Sequence, residues 1–151
     1  MSTVYYTLSN TVFRNFLFYA VASTLKMMLM SLLTARQRFR KNAFVNPEDI
    51  DTRKIKNLVP TTSDPDVERV RRNHLNDIEN IIPFVLIGFC YIACNPDPNM
   101  ALWHFRIFFI SRVLHTFSYQ IPLPQPSRAI TFFIGLFVTI SMAIQVLIRV
   151  Y

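Results

Sequence analysis

The chain has 151 residues, a formal net charge of +7 and a mean hydropathy of +0.28. Apolar and aromatic residues make up 52% of it, which argues against disorder, and its two cysteines are too few for a disulfide framework. A soluble nucleic-acid-binding protein would explain the charge but not the long apolar segments. The composition therefore predicts a membrane protein with segregated charges and no nucleic-acid partner.

Four apolar segments predict an all-α membrane protein, a bundle of four transmembrane helices. The clearest is 129–148, twenty residues without a charge, which span roughly 30 Å as a helix. The other three are 12–35, with one internal lysine; 72–94, interrupted by a proline, where a kink is expected; and 100–119, with two arginines. No strand-like alternation competes with them, so residues 1–151 are interpreted as a single domain.

Basic residues are concentrated between the first and second segments. Ten of the sixteen lie in 36–72, whereas 95–99, between the second and third segments, contains none. The positive-inside rule predicts that the loop 36–71 faces the cytosol and that both termini lie on the opposite side with 95–99. The third connection, 120–127, then returns to the cytosol, and its three prolines predict a stiff turn.

Polar side chains gather at the predicted cytosolic ends of all four segments. Charges within spans are costly and usually face a cavity or a partner, so this layer predicts a binding site. At 100° per residue, the polar residues that open the second segment share a face about 140° wide, and those that close the third form a stripe at i, i+3 and i+7. The face comprises Glu68, Arg71, Arg72, Leu75, Asn76 and Glu79, and the stripe comprises Arg112, His115 and Tyr119.

The arginines of this layer outnumber its acids. Glu68 and Glu79 can pair with neighbouring arginines, and the remaining guanidinium groups leave a net positive pocket. Guanidinium groups bind carboxylates in bidentate fashion, so the pocket suits a small polyanionic ligand. Any single arginine here could instead anchor its helix to lipid headgroups, but anchoring does not require acids and amides one turn deeper in the bilayer.

The sequence indicates no metal site and no resident cofactor. Cys90 and Cys94 stand at i and i+4 without further metal ligands, so packing is the favoured interpretation. His74, His104 and His115 show no HExxH-type spacing. Glycine-rich phosphate loops and a glycine elbow around a serine are also missing from the sequence.

The run VERVRRNHLNDIENIIPF at 67–84 resembles the signature of the MAPEG family, the membrane-associated proteins of eicosanoid and glutathione metabolism. Further segments resemble one branch of it, the type-one microsomal glutathione transferases. These are KMMLM at 26–30, NPED at 46–49, HFR at 104–106 and PLPQPSRA at 122–129.

The resemblance implies a homotrimer of four-helix bundles, with glutathione bound as co-substrate between neighbouring subunits. It implies conjugation of the glutathione thiolate to lipophilic electrophiles, with a secondary peroxidase activity on lipid hydroperoxides, at the endoplasmic reticulum membrane or the mitochondrial outer membrane. Arg128 would stabilise the thiolate and Tyr119 would donate a hydrogen bond to the sulfur. The family's glutathione-binding positions correspond to Arg38, Arg71, Arg72, His74, Asn76, Glu79, Arg112, Tyr119 and Arg128.

Two positions depart from the family pattern. Ile50 stands where type-one enzymes have a cysteine whose alkylation activates them, which argues against activation through a thiol. Ala129 stands where the prostaglandin E synthase branch has a serine, which weakens an isomerase interpretation. A glutathione-dependent isomerase of that type and a non-catalytic lipid-binding MAPEG scaffold remain the alternative functions.

Overall fold

The computed structural model describes residues 5–51 and 58–151, and within these ranges it contains five α-helices and no strand. The all-α prediction is confirmed for this part of the chain. Three basic residues of the predicted cytosolic loop, Arg53, Lys54 and Lys56, lie outside the described residues. The helices are α1 (Thr11–Lys41), α2 (Pro47–Asp51), α3 (Pro65–Ala93), α4 (Pro98–Gln120) and α5 (Ser127–Val150).

Asparagine and aspartate side chains begin three of the long helices. Asn10 caps α1, accepting hydrogen bonds from two first-turn backbone N–H groups at 2.9 and 3.2 Å. Asp64 and Asp97 cap α3 and α4 in the same way, and each is followed by a proline. Proline is well suited to the first helical position, because the N–H that it lacks has no partner within the helix. At its other end α1 stops at Asn42, in the left-handed region with φ 51°.

Two helices extend beyond the predicted transmembrane segments. α1 continues to Lys41 and α3 begins at Pro65, because Asp64 provides a cap eight residues before the predicted start. An ion pair of 2.6 Å between Lys41 and Asp66 joins the two helix ends. The predicted loop 36–71 is therefore shorter, and arginines that flank it stand on helices. α3 remains one helix across Pro83.

α1, α3, α4 and α5 form a bundle around an aromatic core. α1 and α5 each contact both α3 and α4, and α3 also contacts α4. Phe84 and Phe108 stack at the centre with ring centroids 3.8 Å apart, and Phe16 packs edge-on against Phe105. A Cβ at Gly88 would collide with the ring of Phe16, so the missing side chain is what lets α1 approach α3.

Three of the described helices, α1, α3 and α5, are long and apolar enough to cross a membrane. Large apolar side chains cover their outer surfaces, and Phe18 and Phe137 are more than 60% exposed. α4 has 23 residues but is not one of these three helices, and Arg106 and Arg112 fall within it. Exposed apolar side chains around a continuous bundle are typical of a surface that contacts lipid.

The described start of the chain and its C-terminus lie at one end of the bundle, together with the α3–α4 connection. The Tyr6 hydroxyl donates a hydrogen bond of 2.8 Å to the carbonyl oxygen of Phe89, near the end of α3. A cavity beside this contact is also lined by Val146 and Arg149 of α5. We call this the far end, and the opposite end the site end. The predicted topology likewise places both termini and the connection 95–99 on the same side.

Candidate functional site

The site end brings together all nine residues predicted to bind glutathione, but it divides them into two groups. One group lies between the helices and the other lies on the outer surface of α1 and α3. The inner group comprises Asn76, Arg112, Tyr119 and Arg128, together with His115; the outer group comprises Arg38, Arg71, Arg72, His74 and Glu79.

Arg112 is fully buried and is bound by its own chain. Its Nη1 donates to Asn76 Oδ1 and its Nη2 donates to the carbonyl oxygen of Thr131, both at 3.0 Å. Gly135 makes room for it, because a Cβ there would lie 3.2 Å from Arg112 Nε and 2.9 Å from Ser111 Oγ. The guanidinium therefore ties α3, α4 and α5 together, which favours a positioning role over direct binding of a ligand carboxylate.

His115, Tyr119 and Arg128 form a stack where α4 ends and α5 begins. The His115 and Tyr119 ring centroids are 5.2 Å apart, and Arg128 Cζ lies 5.1 Å from the Tyr119 centroid. His115 Nδ1 lies 3.1 Å from the carbonyl oxygen of Arg128 and 2.9 Å from Thr131 Oγ1. Since a carbonyl oxygen only accepts, the tautomer protonated at Nδ1 is the one that fits, and it holds the first turn of α5 against α4.

Arg128 differs from Arg112, the other arginine of the inner group, because none of its guanidinium donors has a partner among the described residues. Its guanidinium forms no ion pair with the described residues, and its buried Nε has no hydrogen-bond partner there. The hydroxyl of Tyr119 makes no hydrogen bond in this part of the chain either. A guanidinium on an aromatic face, with its donors unused, can accept an anion without first breaking an ion pair.

Four residues of the outer group line two open cavities, and Glu79 lines neither of them. Arg71 borders both, and its Nε lies 3.1 Å from a carboxylate oxygen of Glu68. Arg72 and Glu79 are exposed and form no ion pair within 5–51 and 58–151. The first cavity, of ≈ 190 Å³, is lined by Arg71, Arg72, His74, Leu75 and Ile78; the second, of ≈ 480 Å³, is lined by Arg38, Val45, Asn46, Thr62, Glu68 and Arg71.

These two cavities contain no residue of the inner group. Asn76 is the link between the groups, because it stands on α3 one turn beyond Arg72 and accepts the hydrogen bond from Arg112. Its carboxamide oxygen is thereby engaged, while its Nδ2 makes no hydrogen bond within the described residues. Asn76 can therefore serve the inner group through its oxygen and a ligand through its N–H groups.

The sequence interpretation did not predict a buried ion pair between α1 and α3. Lys26 Nζ on α1 lies 2.6 and 2.5 Å from the two carboxylate oxygens of Asp77 on α3, and the side chains are 14% and 0% exposed. The internal lysine of the first segment and the aspartate beside Asn76 are both visible in the sequence. Their pairing is not, because periodicity does not reveal which helices are neighbours.

The segment NPED at 46–49 also lies at the site end. It forms the start of α2, where Ile50 is buried with only 6% of its surface exposed. The two cysteines lie at the far end instead, and Cys90 is exposed beside a cavity. Cys90 does not pack inside this chain, because it lies on the outward side of α3, whereas Tyr91 and Ile92 beside it are buried.

The family model described as the MAPEG family matches residues 16–148. The chain belongs to the MAPEG family. This match includes every predicted glutathione-binding residue and confirms the resemblance carried by 67–84.

Individual MAPEG proteins resemble the chain along nearly its whole length. Microsomal glutathione S-transferase 1 of Homo sapiens is 49% identical over 142 residues, which are 93% of this chain and 92% of that protein. The protein of the same name from Mus musculus is 48% identical over 144 residues, with the same coverage. Prostaglandin E synthase of Homo sapiens is 40% identical over 134 residues, covering 87% of this chain and 86% of that protein.

Proposed function

We propose that this MAPEG protein is a membrane-bound glutathione transferase, which conjugates the glutathione thiolate to lipophilic electrophiles and reduces lipid hydroperoxides as a secondary activity. The observation that carries the proposal is the guanidinium of Arg128, held on the ring of Tyr119 without a counter-charge. Similarity at 46–49% identity to five proteins named microsomal glutathione S-transferase 1 supports the same conclusion.

The chemistry requires a thiolate at neutral pH. A free thiol has a pKa of about 8.5, and lowering it by about two units requires about 2.7 kcal/mol of preferential stabilisation of the thiolate. A guanidinium at the edge of a low-dielectric bundle can supply this, and we assign that role to Arg128. Tyr119 donates its free hydroxyl to the sulfur. The thiolate then attacks an electrophile that reaches the site by partitioning into the bilayer.

The remaining residues bind the rest of glutathione. Arg38, Arg71 and Arg72 bind its two carboxylates, while Glu79 binds its amino group. Asn76 and His74 bind its amide groups. Arg112 acts from inside the bundle by fixing the carboxamide of Asn76. No metal or resident cofactor takes part in this scheme.

The separation of the two groups favours an assembly in which subunits share the site. The surface of α3 that carries Arg72 and Glu79 also exposes Leu75, Ile82 and Leu86, to 54%, 46% and 62%. Charges among apolar residues on a transmembrane surface are costly in contact with lipid, so another subunit is the better neighbour. We propose a homotrimer in which the outer group of one subunit and the inner group of the next enclose glutathione.

The proposed topology places four transmembrane helices in a single domain, 1–151. α4 is included because Arg112 is buried within the bundle and apolar side chains such as Ile110 and Phe117 are exposed on the outer surface. The site end faces the cytosol, where glutathione is available. The membrane is that of the endoplasmic reticulum, and the mitochondrial outer membrane is the second location to examine.

Substitution of Arg128 tests the mechanism. Arg128→Leu should remove the thiolate absorbance of bound glutathione and slow conjugation of 1-chloro-2,4-dinitrobenzene by about 100-fold, the factor equivalent to two pKa units. Arg40→Leu is the matched control, since Arg40 is an exposed arginine at the same end and outside the site. If Arg128→Leu still forms thiolate and conjugates at the wild-type rate, the role assigned to Arg128 is wrong.

A glutathione-dependent isomerase is the second candidate, favoured by the 40% identity to a protein named prostaglandin E synthase. Assay with a prostaglandin endoperoxide separates the two: we expect conjugation activity and no isomerisation above background. Equilibrium dialysis with glutathione addresses the non-catalytic scaffold, which would bind none.

A further inference from the structure

The far end contains a cavity that the glutathione chemistry does not use. Its volume is ≈ 560 Å³, within the range of sites that bind small molecules. The start of the chain, the last turns of α3 and the end of α5 form its walls. The lining residues are Tyr5, Tyr6, Phe89, Cys90, Ala93, Cys94, Asn95, Val146, Arg149 and Val150.

The lining has an apolar wall and one charged group. Phe89, Ala93, Val146 and Val150 provide the apolar surface, and Arg149 is the one charged residue among those that line the cavity. The same arginine borders an adjoining cavity of ≈ 360 Å³. The guanidinium of Arg149 therefore lies at the boundary between the two cavities.

Arg149 has no acidic partner. Its guanidinium forms no ion pair and no hydrogen bond with the residues at 5–51 and 58–151, and no carboxylate lines either cavity. The hydroxyl of Tyr6, by contrast, is already engaged with the carbonyl oxygen of Phe89. The unsatisfied charge of the cavity is thus positive, and a guanidinium binds a carboxylate through two parallel hydrogen bonds.

We propose that this cavity binds a long-chain fatty acid from the bilayer, with the carboxylate on Arg149 and the hydrocarbon chain along Phe89 and Val146. A single cation beside a single apolar compartment matches one carboxylate with one chain. A phospholipid would bring a second chain and a larger headgroup, for which the lining provides no further charge. The site lies at the opposite end from Arg128 and is independent of the proposed transferase activity.

The rate at which the two cysteines of the chain are alkylated measures whether the cavity is occupied. Cys90 and Cys94 are its sole cysteines, and both line the cavity. The full-length protein in phosphatidylcholine nanodiscs is treated with a maleimide, with and without oleate. A bound fatty acid covers the thiols, so oleate should slow alkylation, and the charge-assisted contact should let it do so at a concentration about tenfold lower than an uncharged analogue needs. Oleyl alcohol, which lacks the charge, should slow it much less.

Two variants assign the effect to the cavity. In Arg149→Gln, oleate should protect no better than oleyl alcohol, while thermal unfolding remains at the wild-type temperature. Arg14→Gln is the matched control, because Arg14 is an exposed arginine in the first turn of α1 at the same end and does not line the cavity. Its protection by oleate should equal that of the wild type.

Four results would each overturn the proposal. The first is no protection of the wild type by oleate, and the second is a loss of protection in Arg14→Gln as large as that in Arg149→Gln. The third is protection of the cysteines without oleate in nanodiscs that contain phosphatidylserine, which would indicate a phospholipid headgroup site. The fourth is cross-linking of Cys90 in two chains by a bifunctional maleimide at every oleate concentration, which would indicate that a second copy covers the cavity.

Discussion

The buried interior of the bundle and its more exposed surface give their arginines different surroundings. Arg112 is fully buried, and two of its nitrogens donate to oxygens of its own chain. Arg128 and Arg72 lie at the site end without an acidic partner among the described residues. Arg112 holds helices together through two of its nitrogens, although its Nε has no partner, whereas an arginine without internal hydrogen bonds is available to a ligand. The two regions should therefore respond differently to mutation.

The largest loss of stability is expected in the interior, at the ion pair of Lys26 and Asp77. Asp77→Leu leaves the ammonium of Lys26 buried without a counter-charge, which should cost about 3 kcal/mol of unfolding free energy. Thermal or denaturant unfolding of the purified protein in detergent measures the loss.

The double variant Lys26→Met/Asp77→Leu is the control for this ion pair. It removes both charges and keeps apolar side chains in their place, so most of the stability should return. A double variant as unstable as Asp77→Leu would mean that packing or helix geometry, and not the uncompensated charge, is responsible.

A smaller loss is expected where Gly135 accommodates Arg112. Gly135→Ala places a methyl group 2.9 Å from Ser111 Oγ and 3.2 Å from Arg112 Nε, so the guanidinium or the hydroxyl must move. Overpacking of this kind should cost about 2 kcal/mol in unfolding experiments. Adding Ser111→Ala to Gly135→Ala removes the nearer contact, so the double variant should regain part of the lost unfolding free energy. Wild-type stability of the single variant would show that α5 adjusts freely at this position.

The smallest change in stability is expected at the site end, where glutathione binding should respond instead. Arg72→Gln should change unfolding free energy by less than about 0.5 kcal/mol, because the side chain is exposed and unpaired. Its dissociation constant for glutathione, measured by equilibrium dialysis, should rise by about tenfold through loss of a charge-assisted contact. Arg40→Gln should alter neither quantity. If Arg72→Gln is destabilised but binds glutathione as tightly as the wild type, Arg72 does not contact glutathione.

Amino-acid patterns alone predicted the all-α fold, the long apolar helices and the end at which the polar residues gather. The reason is that hydrophobic length and charge segregation are local properties of a segment, and Asp64 and Asp97 mark helix starts through contacts two or three residues away. The MAPEG signature at 67–84 is likewise local, so family membership could be recognised before any helix was placed.

The contacts between helices were decided by the tertiary structure. Sequence patterns treated Arg112, Arg72 and Arg128 alike, and only packing buried the first against Asn76 and left the other two without a partner. Packing likewise joined Lys26 to Asp77 across 51 positions of sequence and brought Arg149 to the cavity at the far end. Whether a charge is satisfied depends on which side chains neighbouring helices bring within hydrogen-bonding distance, and helical periodicity carries no information about those neighbours.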